Sequence, residues 1–221
     1  MRATSHSASP LLHRLLDGPL VRGQVLSGRH LQFGDYVVSL TSTGAPRMPN
    51  GIECAADART NDRVAIGGGR LVVGRVVVSP GPEWNPIPSF ERGHAFPPGP
   101  EPSIRALAGL GPGLTPAGDD LLAGYVAGLV LLHGQRKRAA RISEEAASRT
   151  NSLSATLLRH AALGEVPEPV HTLLATGDTR PLVSFGHSSG HAWLRGLISA
   201  GYAVDVDCPT VQAPHLAVGA G

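Results

Sequence analysis

Hydrophobic residues change their spacing along the chain. In the first hundred residues they form short runs between turn residues, at 20–26, 36–40, 63–66 and 71–78. Short runs rich in β-branched residues and bounded by turn signals predict strands. Gly74 interrupts the last run, which predicts a hairpin or a bulge at that point. This spacing is typical of a small barrel or sandwich.

Helix-length patterns replace the short runs after a proline-rich connector at 80–102. They predict five helices, at 119–133, 136–149, 151–164, 169–176 and 189–201. The first pattern is apolar nearly all round, so we expect a buried central helix. On that helix, Gly124 and Gly128 lie one turn apart and allow a neighbouring element to pack closely.

Together these patterns predict an α+β fold. Its N-terminal part, at 1–98, would be β-rich and resemble a barrel or sandwich. Its C-terminal part, at 99–221, would be helical. The proline-rich connector is the predicted boundary between the two domains, because a dense run of prolines favours an extended linker.

The helical part begins with a glycine-rich segment, GLGPGLTPAGDDLLAG at 109–124. Alternating glycines indicate a backbone that adopts positive φ or approaches another group closely, since ordering glycine loses the most freedom. Thr115 fits the N-cap of the following helix, and Pro116 fits its first position. Asp119 and Asp120 then lie in or just after the first turn, where the helix dipole favours negative charge.

Two interpretations of this segment remain open, a ligand site and a packed turn. Its N–H groups and the positive end of the dipole favour an anion. Its two carboxylates would repel a bare phosphate, so they favour a bridging Mg²⁺ or a ligand with N–H donors. In a packed turn the aspartates would serve only the dipole. For a ligand site the catalytic candidates are Asp119 and Asp120, and the ligand-binding candidates in the loop are Gly111, Gly113, Thr115 and Gly118.

The two aspartates should have different roles. Adjacent helical residues point about 100° apart, because the helix has roughly 3.6 residues per turn. One carboxylate should face the ligand or a Mg²⁺ ion, and the other should brace the glycine loop by accepting backbone N–H bonds. Mg²⁺ is therefore a possible cofactor, and the sequence indicates no other.

A second glycine-flanked turn, GHSSG at 186–190, precedes the last predicted helix, which Ser188 or Ser189 would cap. We expect this turn to face the same pocket as the glycine loop. His187 is then a catalytic candidate that donates to a substrate oxygen, and Ser188, Ser189 and Gly190 are ligand-binding candidates. An exposed, serine-capped turn is an equally good interpretation. Asn151, at another helix start, is a candidate for binding a ligand amide or carboxylate, or for an N-cap.

Metal and nucleotide signatures are weak. His187 and His191 have the spacing of a zinc pair, but no third ligand is placed by the sequence, which therefore predicts no metal site. There is no GxxxxGK[ST] motif, and Lys137 is the only lysine. The glycines do not follow the G-x-G-x-x-G spacing of a dinucleotide site either.

The GHSSG turn also matches the G-x-S-x-G motif of α/β-hydrolases, with Ser188 as nucleophile and 182–185 as the preceding strand. Asp205, Asp207 and His215 follow in the required order. The chain before the turn lacks the alternating strands and helices of that fold, which argues against a hydrolase.

Composition and charge narrow the remaining classes of function. The net charge of +2 shows no bias toward nucleic acid or membranes. Cys54 and Cys208 match no metal or redox spacing, so we expect reduced thiols. The N-terminus lacks the apolar segment of a signal peptide, and the longest apolar run is shorter than the roughly 20 residues of a bilayer span. We expect a soluble cytoplasmic protein that binds neither nucleic acid nor membranes.

Taken together, the motifs resemble the AllH-like family. The glycine-rich segment, TNSLS at 150–154 with its LLRHAALGE continuation, and the GHSSG turn occur in the order typical of that family. MPNGI at 48–52 and the region of Trp84 also resemble its N-terminal half. The resemblance covers most of the chain, and the GLGPGLTPAGDD string is highly specific.

The resemblance implies a subunit of oxamate carbamoyltransferase, which converts oxalurate and phosphate to oxamate and carbamoyl phosphate in allantoin breakdown. It implies a small anionic or carbamoyl-bearing substrate and other transferase subunits as partners, so one chain need not hold the chemistry. A non-catalytic scaffold or metabolite-sensing subunit, binding a partner chain or a small anion, is the alternative.

Some features depart from expected patterns. Ala117 stands where serine is more usual in the family, which removes a hydroxyl from the loop, and His191 stands where an acidic residue is commoner. The STRT-type carbamoyl phosphate signature of the aspartate and ornithine transcarbamoylases is absent. Any carbamoyl chemistry in this chain would therefore need a different site.

Overall fold

The computed structural model describes residues 5–55, 57–79, 81–91 and 95–203 of the 221-residue chain. Within these ranges a β-rich part is followed by a helical part, which confirms the predicted α+β class. The division into domains at 1–98 and 99–221 stays a prediction. The residues proposed for a hydrolase after the GHSSG turn, and one of the two cysteines, lie outside the described ranges: Asp205, Asp207, His215 and Cys208.

In the described residues the β-rich part forms a single curled sheet with the shape of a half-barrel. Its nine strands are β1 Ser5–Ser7, β2 Val21–Ser27, β3 His30–Phe33, β4 Tyr36–Thr41, β5 Gly51–Glu53, β6 Val64–Gly67, β7 Arg70–Val73, β8 Val76–Val78 and β9 Glu83–Trp84. The order across the sheet is β8-β7-β6-β2-β3-β4-β5-β1-β9. Neighbours are antiparallel except in the β4–β5 and β1–β9 pairs, which are parallel.

The four predicted β runs fall on β2, β4, β6 and the β7–β8 hairpin. Gly74, with φ at +59°, turns β7 into β8, as the interruption of that run predicts. Strands β1, β3, β5 and β9 were not predicted. Each has four residues or fewer and lacks the apolar run that marks the equally short β6, β7 and β8.

In the described ranges the chain also forms eight helices: α1 Pro10–Asp17, α2 Ile104–Leu107, α3 Ala117–Leu131, α4 Arg136–Ala147, α5 Ser152–Leu163, α6 Glu168–Thr176, α7 Arg180–Val183 and α8 Ser189–Ser199. The five predicted helices correspond to α3, α4, α5, α6 and α8. Their ends differ from the predicted ones by two residues or fewer. None of the described helices is both long and apolar enough to cross a bilayer.

Helix α1 was missed, although its sequence carries start signals. The side chain of Ser9 accepts the N–H of Leu11, and Pro10 occupies the first helical position. Leu12 and Leu16, four residues apart, are buried in the core of the β-rich part. This short amphipathic helix was not predicted because the sequence that follows it shows strand patterns.

Helix α3 is the buried centre of the helical part, as predicted. Its glycines allow α8 to approach. A Cβ on Gly124 would lie 2.3 Å from the carbonyl oxygen of Trp193, and one on Gly128 would lie 2.4 Å from the Cβ of Ala200. The packing role expected for these two glycines is therefore confirmed.

The two parts meet along β4 and α5. Val37, Leu153 and Leu157 form a small apolar cluster there, and the hydroxyl of Thr156 accepts the backbone N–H of Val37 at 3.0 Å. Tyr36 completes the junction through a hydrogen bond between its hydroxyl and the Nε2 of His160 at 2.8 Å. These contacts hold β4 beside the face of the helices that carries the glycine loop.

Candidate ligand site

The start of α3 differs from the sequence prediction. Thr115 was expected to be the N-cap, but Pro116 occupies that position and no side chain caps the helix. The carbonyl of Pro116 accepts the N–H groups of Asp119 and Asp120 at 2.9 and 3.1 Å. The Thr115 hydroxyl instead pairs with the hydroxyl of Ser189 at 3.2 Å. That hydrogen bond joins the end of the glycine loop to the start of α8.

Asp119 braces the glycine loop. Its Oδ1 accepts the backbone N–H of Gly109 at 2.8 Å, and its Oδ2 accepts the hydroxyl of Thr150. The side chain is 2 % exposed. Both oxygens thus accept hydrogen bonds within the protein, and the catalytic role predicted for Asp119 stays a prediction.

Asp120 faces the other way. It is 3 % exposed, and its Oδ2 is buried without a hydrogen-bond partner. The pKa of Asp120 is raised to about 6, chiefly by burial and also by the charge of Asp119. Hydrogen bonding from Ser189, Trp193 and Thr115 offsets part of that rise. Because buried polar atoms are normally paired, a free carboxylate oxygen here indicates a place for a ligand donor.

Asp120 lies on the wall of a cavity of about 390 Å³ between the two parts of the fold. The helical part contributes the loop end, α3, α5, the GHSSG turn and α8. The β-rich part contributes β3, β4 and the segment after β4. The lining residues are His30, Ser39, Thr41, Ala45, Pro46, Met48, Leu114, Thr115, Asp120, Leu153, Leu157, Phe185, Gly186, Ser189 and Trp193.

The lining is mostly apolar, with a few polar groups gathered near Asp120. Among the described residues that form this wall there is no lysine or arginine, and Asp120 is the only acid. Such a site binds a small ligand that offers an N–H donor to the carboxylate and an uncharged face to the walls. The Thr115 and Ser189 hydroxyls can donate to a ligand oxygen beside it.

Comparison with known proteins finds a similarity in the helical part. The family model of the oxamate carbamoyltransferase subunit AllH matches residues 107–201. The predicted resemblance to AllH is confirmed over this range. No curated protein and no solved structure matches the chain significantly.

The AllH match contains both aspartates, the glycine loop and the GHSSG turn. It begins after the β-rich part, so the resemblance predicted for 48–52 and Trp84 lies outside it. The cavity wall is therefore only partly covered by the match. Asp120 and Ser189 lie in the AllH-matched range, whereas His30, Ser39 and Met48 lie outside it.

The structure brings some of the predicted site residues together. Thr115 at the end of the glycine loop and Ser189 in the GHSSG turn line one cavity with Asp120, as expected for a shared pocket. Gly118 and Gly190 pack closely against neighbouring backbone, and ligand binding by them stays a prediction. A Cβ on Gly118 would lie 2.0 Å from the carbonyl oxygen of Leu107, and one on Gly190 would lie 1.6 Å from that of Leu182.

Other predicted residues do not line the cavity. Gly111 and Gly113 are exposed and adopt the left-handed φ values of +122° and +96° that the loop requires. His187 and Ser188 are exposed, and Ser188 stands at the N-cap position of α8. Their predicted roles in catalysis and ligand binding stay predictions.

Asn151 takes the alternative role considered for it. Its Oδ1 accepts the N–H groups of Leu153 and Ser154, which caps α5. Its amide nitrogen donates to the carbonyl of Leu114 at 3.0 Å and so supports the glycine loop. Ligand binding by Asn151 stays a prediction, because both ends of its amide already have partners in the protein.

The hydrolase interpretation loses its structural basis in the described residues. The segment expected to be the strand of a nucleophile elbow lies in α7 and the turn after it, so a helix precedes Ser188. A nucleophile elbow needs a strand before the serine and a helix after it. The zinc pair of His187 and His191 also gains no third ligand among the described residues.

Sequence reasoning missed the contribution of the β-rich part to the cavity. His30, Ser39 and Thr41 come from strands whose inward and outward faces could not be assigned without the sheet order. One sequence feature did point to this region, since MPNGI at 48–52 resembles the N-terminal half of the AllH-like family. There the N–H of Gly51 bonds to the carbonyl of Met48 at 2.9 Å, and Met48 lines the cavity.

Proposed function

We propose that this chain is a subunit of a carbamoyltransferase acting on oxalurate or oxamate and carbamoyl phosphate, and that the Asp120 cavity binds the amide-bearing end of the substrate. The observation that carries the proposal is the buried, unpartnered Oδ2 of Asp120 on the cavity wall. The AllH match supports the enzyme class and the presence of other transferase subunits.

The carboxylate suits an NH₂ group. Carbamoyl groups and oxamate both present amide N–H donors, and a carboxylate is an acceptor without donors of its own. A charge-assisted hydrogen bond of this kind contributes about 1.5–3 kcal/mol. The Thr115 and Ser189 hydroxyls then complement the amide carbonyl oxygen next to it.

Asp120 also suits proton transfer at the amide nitrogen. When phosphate attacks the carbamoyl carbon of oxalurate, the bond to the oxamate nitrogen breaks and that nitrogen takes up a proton. In the reverse direction the nitrogen of oxamate loses it. A carboxyl group with a pKa of about 6 exchanges a proton readily near neutral pH, which is the property of a general acid–base group.

The anionic end of the substrate needs another site. Since no lysine or arginine lines the described wall, we assign the phosphate and carboxylate groups to cations of a partner subunit. A Mg²⁺ ion bridging the two aspartates is not favoured, because both Asp119 oxygens already accept hydrogen bonds within the protein.

The absence of lysine and arginine from the described cavity wall also favours a second candidate function. A metabolite-sensing subunit would bind an uncharged amide in this cavity and carry out no chemistry. The two functions differ in one measurement. Asp120→Asn would lower kcat of the reconstituted transferase if the chain is catalytic, and would leave kcat unchanged at saturating substrate if it is a sensor.

We expect oxamate to bind the full chain and Asp120→Asn to weaken that binding by about 10- to 100-fold, the equivalent of one charge-assisted hydrogen bond. Isothermal titration calorimetry at pH 7.5 measures the effect. Oxalurate and carbamoyl phosphate should be titrated in parallel. Asp35→Asn, at an exposed position in the β3–β4 turn, is the matched control and should bind like the parent.

The same titration at lower pH separates Asp120 from other groups. Protonation removes the acceptor, so the affinity of the parent should fall below about pH 6 while that of Asp120→Asn stays flat. Failure of all three compounds to bind the parent, or equal binding by Asp120→Asn, would rule out the assigned role of the cavity.

A further inference from the structure

A second cluster of polar side chains lies outside the cavity, where β1, α1 and β9 meet. His6 on β1 and Glu83 on β9 are opposite each other in the parallel pair of strands. His13 on α1 lies beside both. Its Nε2 is 3.3 Å from the Oε1 of Glu83, and the Nε2 of His6 is 3.8 Å from the same oxygen.

The hydrogen-bonding state of this cluster is unusual. His6 is 5 % exposed, and its buried Nδ1 makes no hydrogen bond of good geometry, although the ring lies near the backbone of Gly81. The Nε2 of His13 is also buried and has no hydrogen-bond partner, although it points toward Glu83. Buried polar atoms are bonded in the great majority of cases, so two such atoms in adjacent imidazoles call for an explanation.

A pair of ordinary ion pairs does not explain the arrangement. The Nε2 of His6 is 3.8 Å from the Oε1 of Glu83, which is too long for a hydrogen bond. The two rings also lie close together, with centroids 5.3 Å apart.

A bound metal ion explains the arrangement better. One potential ligand atom from each of His6, His13 and Glu83 lies within 4.8 Å of the others. In a tetrahedral zinc site, bonds of about 2.0–2.1 Å place ligand atoms roughly 3.3–3.4 Å apart. The distance from His13 to Glu83 already has this value, and Glu83, which is 55 % exposed, can move to shorten its distance to His6. The two histidine ligand atoms, which lie within 4.8 Å of each other, would need to approach where their distance exceeds this value.

A neighbouring carboxylate supports the same interpretation. Asp17 follows His13 by one helical turn on α1, and its Oδ2 lies 3.7 Å from the Nδ1 of His13. Histidines that bind metal through one ring nitrogen commonly direct the other to a carboxylate, which fixes the tautomer. Here the Nε2 of His13 faces Glu83 while the Nδ1 faces Asp17.

We propose that His6, His13 and Glu83 bind one divalent transition-metal ion of the zinc class, with water completing the coordination. Two imidazoles and one carboxylate favour Zn²⁺ over the hard cations Mg²⁺ and Ca²⁺, which prefer oxygen ligands. The ion joins the last strand of the sheet to β1 and α1. The sequence could not reveal this site, because Glu83 is brought to the histidines only by the β1–β9 pairing.

The test is metal titration of the full chain, made without an affinity tag and stripped of metal. Calorimetry at pH 7.5 should show one Zn²⁺ bound per chain and no binding of Mg²⁺ at the same concentration. Co²⁺ should give the visible absorption of a four- or five-coordinate site. The melting temperature should rise with Zn²⁺, because binding to the folded state alone stabilises it.

Variants locate the ion. Asp17→Asn should weaken Zn²⁺ binding by about 10-fold or more, the usual effect of losing a carboxylate that supports a ligand. Glu83→Gln and His13→Gln should weaken it further and remove the rise in melting temperature. The controls are His191→Gln and Glu144→Gln at exposed positions of α8 and α4, which should bind Zn²⁺ like the parent.

Glu83→Gln keeps the proposal testable if a histidine variant does not fold, since Glu83 is largely exposed. Absence of Zn²⁺ binding to the folded parent would overturn the proposal. So would Zn²⁺ binding that Glu83→Gln and His13→Gln leave unchanged, because the ion would then be held elsewhere.

Discussion

Glu165→Ala should lower the free energy of unfolding by about 3–5 kcal/mol, the effect of removing one partner from a buried charged network. Glu165 and His160 are 2 % and 0 % exposed. The Oε2 of Glu165 accepts the Ser9 hydroxyl at 2.6 Å and also contacts the Nδ1 of His160. Alanine would leave both groups buried without their acceptor. Urea unfolding measures the change.

This network links the two parts of the fold. Ser9 caps α1, Tyr36 lies on β4, and both contact the His160–Glu165 pair of the helical part. Tyr36→Phe removes one hydrogen bond and should lower stability by about 0.5–1.5 kcal/mol. Glu144→Ala on the exposed face of α4 is the control, with a change within about 0.5 kcal/mol. A loss for Glu165→Ala no larger than that of the control would show that the network does not stabilise the junction.

Asp119→Asn and Asp120→Asn should change stability in opposite directions at pH 8. Asp119→Asn loses at least one charge-assisted bond to Gly109 or Thr150 and should lower the free energy of unfolding by about 1.5–3 kcal/mol. Asp120→Asn removes a buried charge that has an unpartnered oxygen and should raise it. Opposite effects at adjacent positions would distinguish a bracing residue from a ligand-facing one.

The size and pH dependence of the Asp120 effect follow from its pKa. The folded protein holds this proton up to about pH 6, whereas the unfolded chain releases it near 3.8. Stability therefore falls as the pH rises between these values, and above about pH 6 the whole difference is present. At about 1.4 kcal/mol per pH unit, the ionised group destabilises the fold by roughly 3 kcal/mol.

Asp120→Asn should accordingly gain up to roughly 3 kcal/mol at pH 8 and progressively less as the pH falls from 6 toward 4. Urea unfolding at pH 8 and pH 4.5 gives the difference in unfolding free energy between parent and variant. The contributions of the other titrating groups are the same in both proteins and cancel. A loss of stability at pH 8 would mean that the hydrogen bonds from Ser189, Trp193 and Thr115 outweigh the cost of burying the Asp120 charge, and that this carboxylate is structural. Binding sites commonly carry this kind of cost in stability.

The sequence predicted the helical part well because its signals are long. Helix α3 shows 15 residues with an almost continuous apolar pattern, and Gly164 ends α5 in the left-handed conformation that glycine favours. Helical periodicity alone also predicted that the side chains of Asp119 and Asp120 point in different directions. Only the direction of each side chain had to come from the structure.

The remaining features depended on contacts that periodicity does not encode. Thr115 looked like an N-cap because it precedes a proline, but its hydroxyl bonds to Ser189, which lies 74 residues further along the chain. The part of the cavity wall formed by β3 and β4 could be placed only with the order of the sheet. His160 and Glu165 looked like ordinary helix and loop residues until the fold placed Ser9 against them.

A crystal structure of the full chain with oxamate would test the central claim most directly. We expect oxamate in the cavity between α3, α8 and β4, with its amide nitrogen about 2.7–3.2 Å from the Oδ2 of Asp120. The Thr115 and Ser189 hydroxyls should contact its oxygens. Oxamate bound at another place, or oriented with its amide away from Asp120, would contradict the account.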